Sequence, residues 1–309
     1  MPADEIEDEW LEPVNPRDPL PKPPTFTEEE IQECKDNGDY TPILFEWYKF
    51  VASLVFVVAH IMRESPALRS IPDNQFHVLT GLLNRVGRLM LSNVALSHKG
   101  KFGETTAIVD RCIFESALKV TWLCTDPSDE KFVRYLADGL KTELEFRELI
   151  EGNIVARNGE EFPIEKRMLK SISNSIAASQ ISEDEIRDAR KLPDIASMLE
   201  TVGLDRITYV VSQRIGSHHV HGTWPSLLVH YLEKSKKQEN YFSPRGHDCT
   251  THINQYMYIP LGVMRALLTY VQFIFAVDSD AEQFEKLLES TEEEIMRVYK
   301  EAIGGDMRS

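Results

Sequence analysis

From residue 41 onward, apolar residues recur at steps of three and four along most of the chain, the spacing of helices that bury one face. The pattern predicts helices near 42–64, 72–98, 104–125, 128–157, 163–178, 182–190, 194–202, 204–216, 223–235, 253–277 and 280–303. Thr27 followed by three glutamates marks a further helix start. Pro66 and Pro72 bracket one break, and the Gly-containing stretches 98–103 and 157–163 supply two more. Residues 235–252 form the longest irregular stretch, polar with Pro244 and Gly246. No run alternates long enough to predict a strand. The expected fold class is therefore all-α, a bundle-like main domain over 27–303. Residues 1–26 are acidic and rich in proline and read as a disordered tail, with 304–309 as a short C-terminal tail.

Two apolar stretches raise the question of a membrane. Residues 50–59 are too few to span one, and 257–277 carry Arg265 at their centre. Both read as core helices, so no membrane partner is expected. The four cysteines lack metal or redox spacing, and the acidic N-terminus lacks a leader pattern. Together they predict a reduced, cytoplasmic protein.

Net charge is −16, but its distribution matters more than its sum. Residues 1–40 carry −10 and 278–297 carry −6, while 41–277 balance to zero. The acidic flanks suit a basic protein partner or simply a solvated surface. No basic patch stands out in the body, so RNA would need a small, specific phosphate site.

Candidate chemistry lies on three apolar stripes that are interrupted by charge. Leu204, Ile207 and Val211 are followed at the same spacing by Arg214, His218 and His221. Ile108 is followed by Arg111 and Glu115, then Leu118 and Trp122. Val78 and Leu82 are followed by Arg85 and Leu89. If these stripes face inward, one glutamate cannot neutralise three arginines, and the surplus positive charge suits a phosphate or carboxylate. Each residue also has a plainer reading. Arg111 and Glu115 can form a surface pair, Arg85 can reach water, and the histidines can be packed core residues.

Arg214 and His221 have six residues between them. A histidine can move the proton of a ribose 2′-hydroxyl, and an arginine can hold the phosphate. Seven residues of helix rise about 10 Å, so a bend at Gly216 or a second copy of the chain must bring the two groups together. His247, Cys249 and His252 have no trusted metal spacing, and phosphate-loop, dinucleotide and nucleophile-elbow motifs are absent. No metal or cofactor is expected.

Two stretches carry a resemblance. Arg111, Glu115, Trp122, Leu123, Asp126, Pro127, Arg134 and Tyr135 resemble the R-x-x-x-E, W-L, D-P, R-Y segment of a bacterial all-helical family of unknown function. Ser217, Val220, His221 and Gly222 resemble that family's S-x-x-V-H-G element, and the likeness covers about 75–235. The family is similar to HEPN-like domains of defence and toxin systems, whose R-x4-6-H pattern Arg214 and His221 fit. The resemblance implies a metal-independent endoribonuclease acting as a homodimer. Arg214 and His221 would be catalytic, with Arg111, Glu115, Ser217, His218 and Arg85 lining the pocket. The alternative is a non-catalytic helical module that binds a protein or a small anion.

Overall fold

A computed structural model describes residues 20–97, 101–126, 128–236, 241–247, 249–276 and 278–303. Most of the acidic N-terminal tail and all of the C-terminal tail fall outside these residues, as do parts of the predicted breaks at 98–103 and 235–252.

The elements in chain order are α1 (Glu28–Asn37), α2 (Thr41–Ala59), α3 (Asp73–Ser97), α4 (Gly103–Cys124), α5 (Asp129–Ala156), α6 (Pro163–Ser179), α7 (Glu183–Asp188), α8 (Ile195–Thr201) and α9 (Arg206–Tyr209). A π-helical stretch, Val210–Ile215, joins α9 to α10 (Gly216–His221). Then come α11 (Trp224–Ser226), a second π stretch (Leu227–Tyr231), strands β1 (Leu232–Lys234) and β2 (Phe242–Pro244), α12 (Gln255–Ile274) and α13 (Asp278–Ala302). The all-α expectation holds.

Local chemistry sets several of these boundaries. Thr27 caps α1, its hydroxyl accepting from the Glu30 amide while the Glu30 carboxylate accepts from the Thr27 amide. Gly38, at φ +64°, ends that helix in the left-handed conformation that glycine adopts without penalty. At the start of α4, Gly103 donates its amide to the Cys249 carbonyl. A Cβ there would stand 2.4 Å from the Thr250 carbonyl oxygen, so only glycine lets the two backbones meet.

Helices α2, α3, α4 and α12 pack side by side as a four-helix core, with α13 laid against α2 and α12. Leu44, Val51, Val55, Leu83, Val86, Met90, Ile113, Val120, Leu267 and Val271 fill its interior. α2 and α12 are both long and apolar enough to cross a membrane by length and composition. The stretch 50–59 is thus part of a longer helix than its apolar run suggests. Arg265 lies on the exposed side of α12 and donates to the Val202 carbonyl at 2.6 Å. α5 extends away from the core and builds a second, smaller cluster from Ala137, Leu140, Leu144, Ile181 and Ile186.

One polar network lies inside the main core. Asn93 Nδ2 donates to Asp110 Oδ1 at 2.6 Å and to the Thr106 carbonyl at 3.3 Å. Asp110 Oδ2 is buried without a hydrogen bond, and burial pushes this carboxyl well above its usual range. The folded state then holds the proton that the unfolded chain releases. Its stability falls as pH rises above the ordinary carboxylate value, by about 1.4 kcal/mol per pH unit until the buried group ionises. Asp110→Asn is expected to be more stable than the native protein at pH 7, with the difference closing below about pH 4. Urea unfolding of both proteins across that range measures it, and a pH-independent difference would contradict it.

The structure departs from the expected pattern over 204–235. The 204–216 helix continues unbroken through the π stretch into α10, and Gly216 stays helical at φ −57° and ψ −30°. The chain turns instead at Gly222, at φ +55°. Beyond Tyr231 it becomes extended, because Leu232–Lys234 pairs antiparallel with Phe242–Pro244. The predicted 223–235 helix therefore ends early in a short strand pair.

Candidate functional site

α4 supplies one wall of the site. Arg111 Nε donates to Glu115 Oε1 at 3.0 Å, and Arg111 Nη1 donates to Ser217 Oγ at 2.6 Å. α10 can approach this closely because Gly216 lies over the Arg111 stem, where a Cβ would sit 3.6 Å from it. Arg111, Glu115 and Ser217 thus meet, as half-buried partners bridging two helices. Glu115 offsets the Arg111 charge, so this pair adds no surplus positive charge between the two helices.

Most of the inward stripe expected on 204–221 is turned outward, although Leu204 packs against the core and His218 is half-buried. Ile207 is 63% exposed, and Val211, Arg214 and His221 are also exposed. The face packed against α4 carries Gln213, Gly216 and Ser217 instead. Two physical causes combine. The π stretch closes its hydrogen bonds one residue later than an α-helix, so a count by 3.6 loses phase there. The opposing face of α4 is polar, so small and polar residues fit against it better than aliphatic ones.

Arg85 is exposed as well, its Nε donating to Ser116 Oγ at 3.2 Å. His218 Nδ1 lies 2.7 Å from Thr223 Oγ1, a contact that fastens the end of α10 to the start of α11. Arg214 and His221 make no hydrogen bond or ion pair among the described residues. Among those residues, no three His, Cys, Asp or Glu side chains gather as metal ligands, and His247, Cys249 and His252 form no such group.

A second cluster, absent from the sequence reading, lies one step along α4. The Glu104 side chain is buried and accepts from both Ser226 Oγ and the Tyr231 hydroxyl. His219 Nδ1 stands 4.0 Å from Glu104 Oε1, and the His219 ring meets His230 edge-on at 5.1 Å. Burial, reinforced by His230 and opposed by Glu104, holds the His219 imidazole below its usual value of 6.5. Ser226 directs its proton to Glu104, an arrangement that ties α11 to α4 rather than activating the serine. One signal in the sequence pointed here: Glu104 precedes Arg111 by seven residues, and so shares its helix face.

The site can therefore do two things chemically. Its outer surface offers, on one helix, an imidazole and a guanidinium that has no ion pair among the described residues. Its inner surface clamps that helix and the following turn to α4.

No curated protein and no solved structure matches the chain. Residues 76–240 match the model of the family described as "Family of unknown function (DUF5677)". The matched segment runs from α3 to just past β1 and includes Arg85, Glu104, Arg111, Glu115, and the whole π–α10–α11 region. With more than half of its length inside that match, the chain is a member of the DUF5677 family of unknown function.

Proposed function

We propose that the outer face of the 206–221 helix cleaves RNA without a metal ion, as an endoribonuclease built from two copies of the chain. One observation carries this reading. Arg214 and His221 are seven residues, about two turns, apart on one unbroken helix. Both are exposed, and neither is engaged by another described side chain. His221 would take the 2′-hydroxyl proton as that oxygen attacks the adjacent phosphorus. The bond from phosphorus to the 5′-oxygen breaks and that oxygen takes a proton from water, yielding a 2′,3′-cyclic phosphate and a 5′-hydroxyl. Arg214 would hold the phosphate and offset the charge that builds up during attack. The resemblance to HEPN-type domains supports the same roles.

One straight helix spreads the two groups about 10 Å apart, and Gly216 provides no bend. A second copy facing the first would close that gap. The exposed Ile207, Val211, Ile215 and Val220 beside them support such a pairing, since a row of open aliphatic side chains favours burial. The same row also supports the alternative, a non-catalytic module that docks a protein here and takes a small anion on Arg214.

The test is direct. The purified protein is incubated with mixed RNA in EDTA, and the products are resolved by length and end group. Fragments with cyclic phosphate ends are expected, from a protein that elutes as a dimer. Intact RNA from a folded dimer would overturn the nuclease reading and leave the docking module.

A further inference from the structure

The charge of this region differs from that of the whole. Residues 206–247 hold six Lys or Arg against two Glu, a formal +4 in a chain of −16, and five of its nine histidines. Averaging over 41–277 conceals this. Arg206, Arg214, Lys234 and Lys236 are exposed and form no ion pair among the described residues. Cations without acidic partners are available to a polyanion.

Exposed aromatic rings occur in the same stretch of chain. Trp224 is 55% and Tyr241 54% exposed, an unusual cost for rings of this size unless something covers them. The Trp224 ring and the Tyr241 backbone are each held in place. Phe242 meets Trp224 at 85° with 5.8 Å between ring centres, which fixes the indole and leaves more than half of it open. Tyr241 lies at the mouth of the strand pair, where its carbonyl accepts from the Ser235 amide at 2.8 Å. At the other end of the pair, the Arg245 amide donates to the Tyr231 carbonyl at 2.8 Å. The register sets the exposed Lys234 opposite Phe242.

Open rings near cations that have no ion pair among the described residues suit single-stranded nucleic acid. Unpaired bases stack on the rings and the backbone lies along the cations. A duplex hides its bases and would meet only the cations. A membrane would ask for one continuous apolar face, whereas Trp224 and Phe242 stand at right angles.

We propose that Trp224 and Tyr241 form a base-stacking subsite for single-stranded RNA, with Lys234 and Lys236 holding its backbone beside Arg214 and His221. The inference rests on the RNA reading above for its ligand, but its test does not depend on cleavage. A fluorescent 12-nucleotide RNA carrying 2′-O-methyl groups lacks the attacking hydroxyl and cannot be cut by the proposed route. Its anisotropy is titrated with the full chain, alongside a duplex of the same sequence and vesicles rich in anionic lipid.

The single strand is expected to bind more tightly than the duplex. Trp224→Ala and Tyr241→Ala should each weaken binding by about ten- to a hundred-fold, with Trp224→Phe close to native. Lys234→Ala with Lys236→Ala should flatten the salt dependence of binding. Equal affinity for duplex, unchanged binding in both aromatic variants, or binding of vesicles in place of RNA would each overturn the subsite. Loss of self-association in the Trp224→Ala variant, with RNA affinity intact, would assign the ring to a protein interface instead. If the methylated strand binds through Trp224 but ordinary RNA is never cut, the subsite stands and the nuclease reading falls. If RNA is cut while both aromatic variants bind as the native protein does, the reverse holds.

Discussion

His221→Ala is expected to slow RNA cleavage by about a hundred- to ten-thousand-fold, the range contributed by a proton-transfer group. The loss should fall on kcat, because the ring is assigned to the reacting proton rather than to gripping the strand. Stability should hardly change. His221 ends α10 on the exposed side and touches no partner among the described residues, so its removal opens no cavity and leaves no orphaned polar group. Arg214→Ala should act differently, weakening substrate affinity as well as rate, since a phosphate ligand acts in both states. His247→Ala, on the loop past the strand pair, is the control and should cleave as the native protein does. Thermal melts and cleavage rates measured together settle the assignment. A His221→Ala protein that is folded and fully active would remove the histidine from the mechanism.

The other large effect is on the fold around the site. Glu104→Ala should destabilise the protein by about 2 kcal/mol, the typical cost of leaving a buried hydroxyl without its acceptor. Ser226 bears most of that cost, because it is almost fully buried, whereas Tyr231 is half open and can turn to water. Two hydroxyls that now converge on one carboxyl would be released together, so α11 and the strand pair should loosen from α4 before the four-helix core unfolds. Hydrogen exchange localises this, and urea unfolding gives its size. Glu104→Gln keeps a carbonyl acceptor and should recover part of the loss. Glu104 also opposes the downward shift of the His219 imidazole, so both variants should titrate that ring lower than the native protein does. An unchanged His219 titration by NMR would show that the pair, 4.0 Å apart, does not interact.

Much of this molecule was legible before its folding was known. The helices from α2 to α8, and α12 and α13, lie close to where apolar spacing set them, because each presents one continuous apolar face to a neighbour. The Arg111–Glu115 pair was also within reach, since a four-residue step is a local fact of helix geometry. The region from 204 to 235 was not. There, Ile207 and Val211 imply an inward face, yet they point to solvent while Gln213 and Gly216 pack inward. Counting by 3.6 fails once a π stretch shifts the phase, and no residue in VVSQRI marks that shift.

The amino-acid order alone determined the helical class, the capped start at Thr27 and the cluster of Arg and His in one short segment. These depend on neighbours within a few residues. Only the tertiary structure decided which of those side chains meet. Glu104 finds Ser226 and Tyr231 more than a hundred residues later because α4 and the start of α10 are pressed together at Gly216. Long-range pairings of this kind are set by the shape of two surfaces at once, and no single stretch of chain contains both.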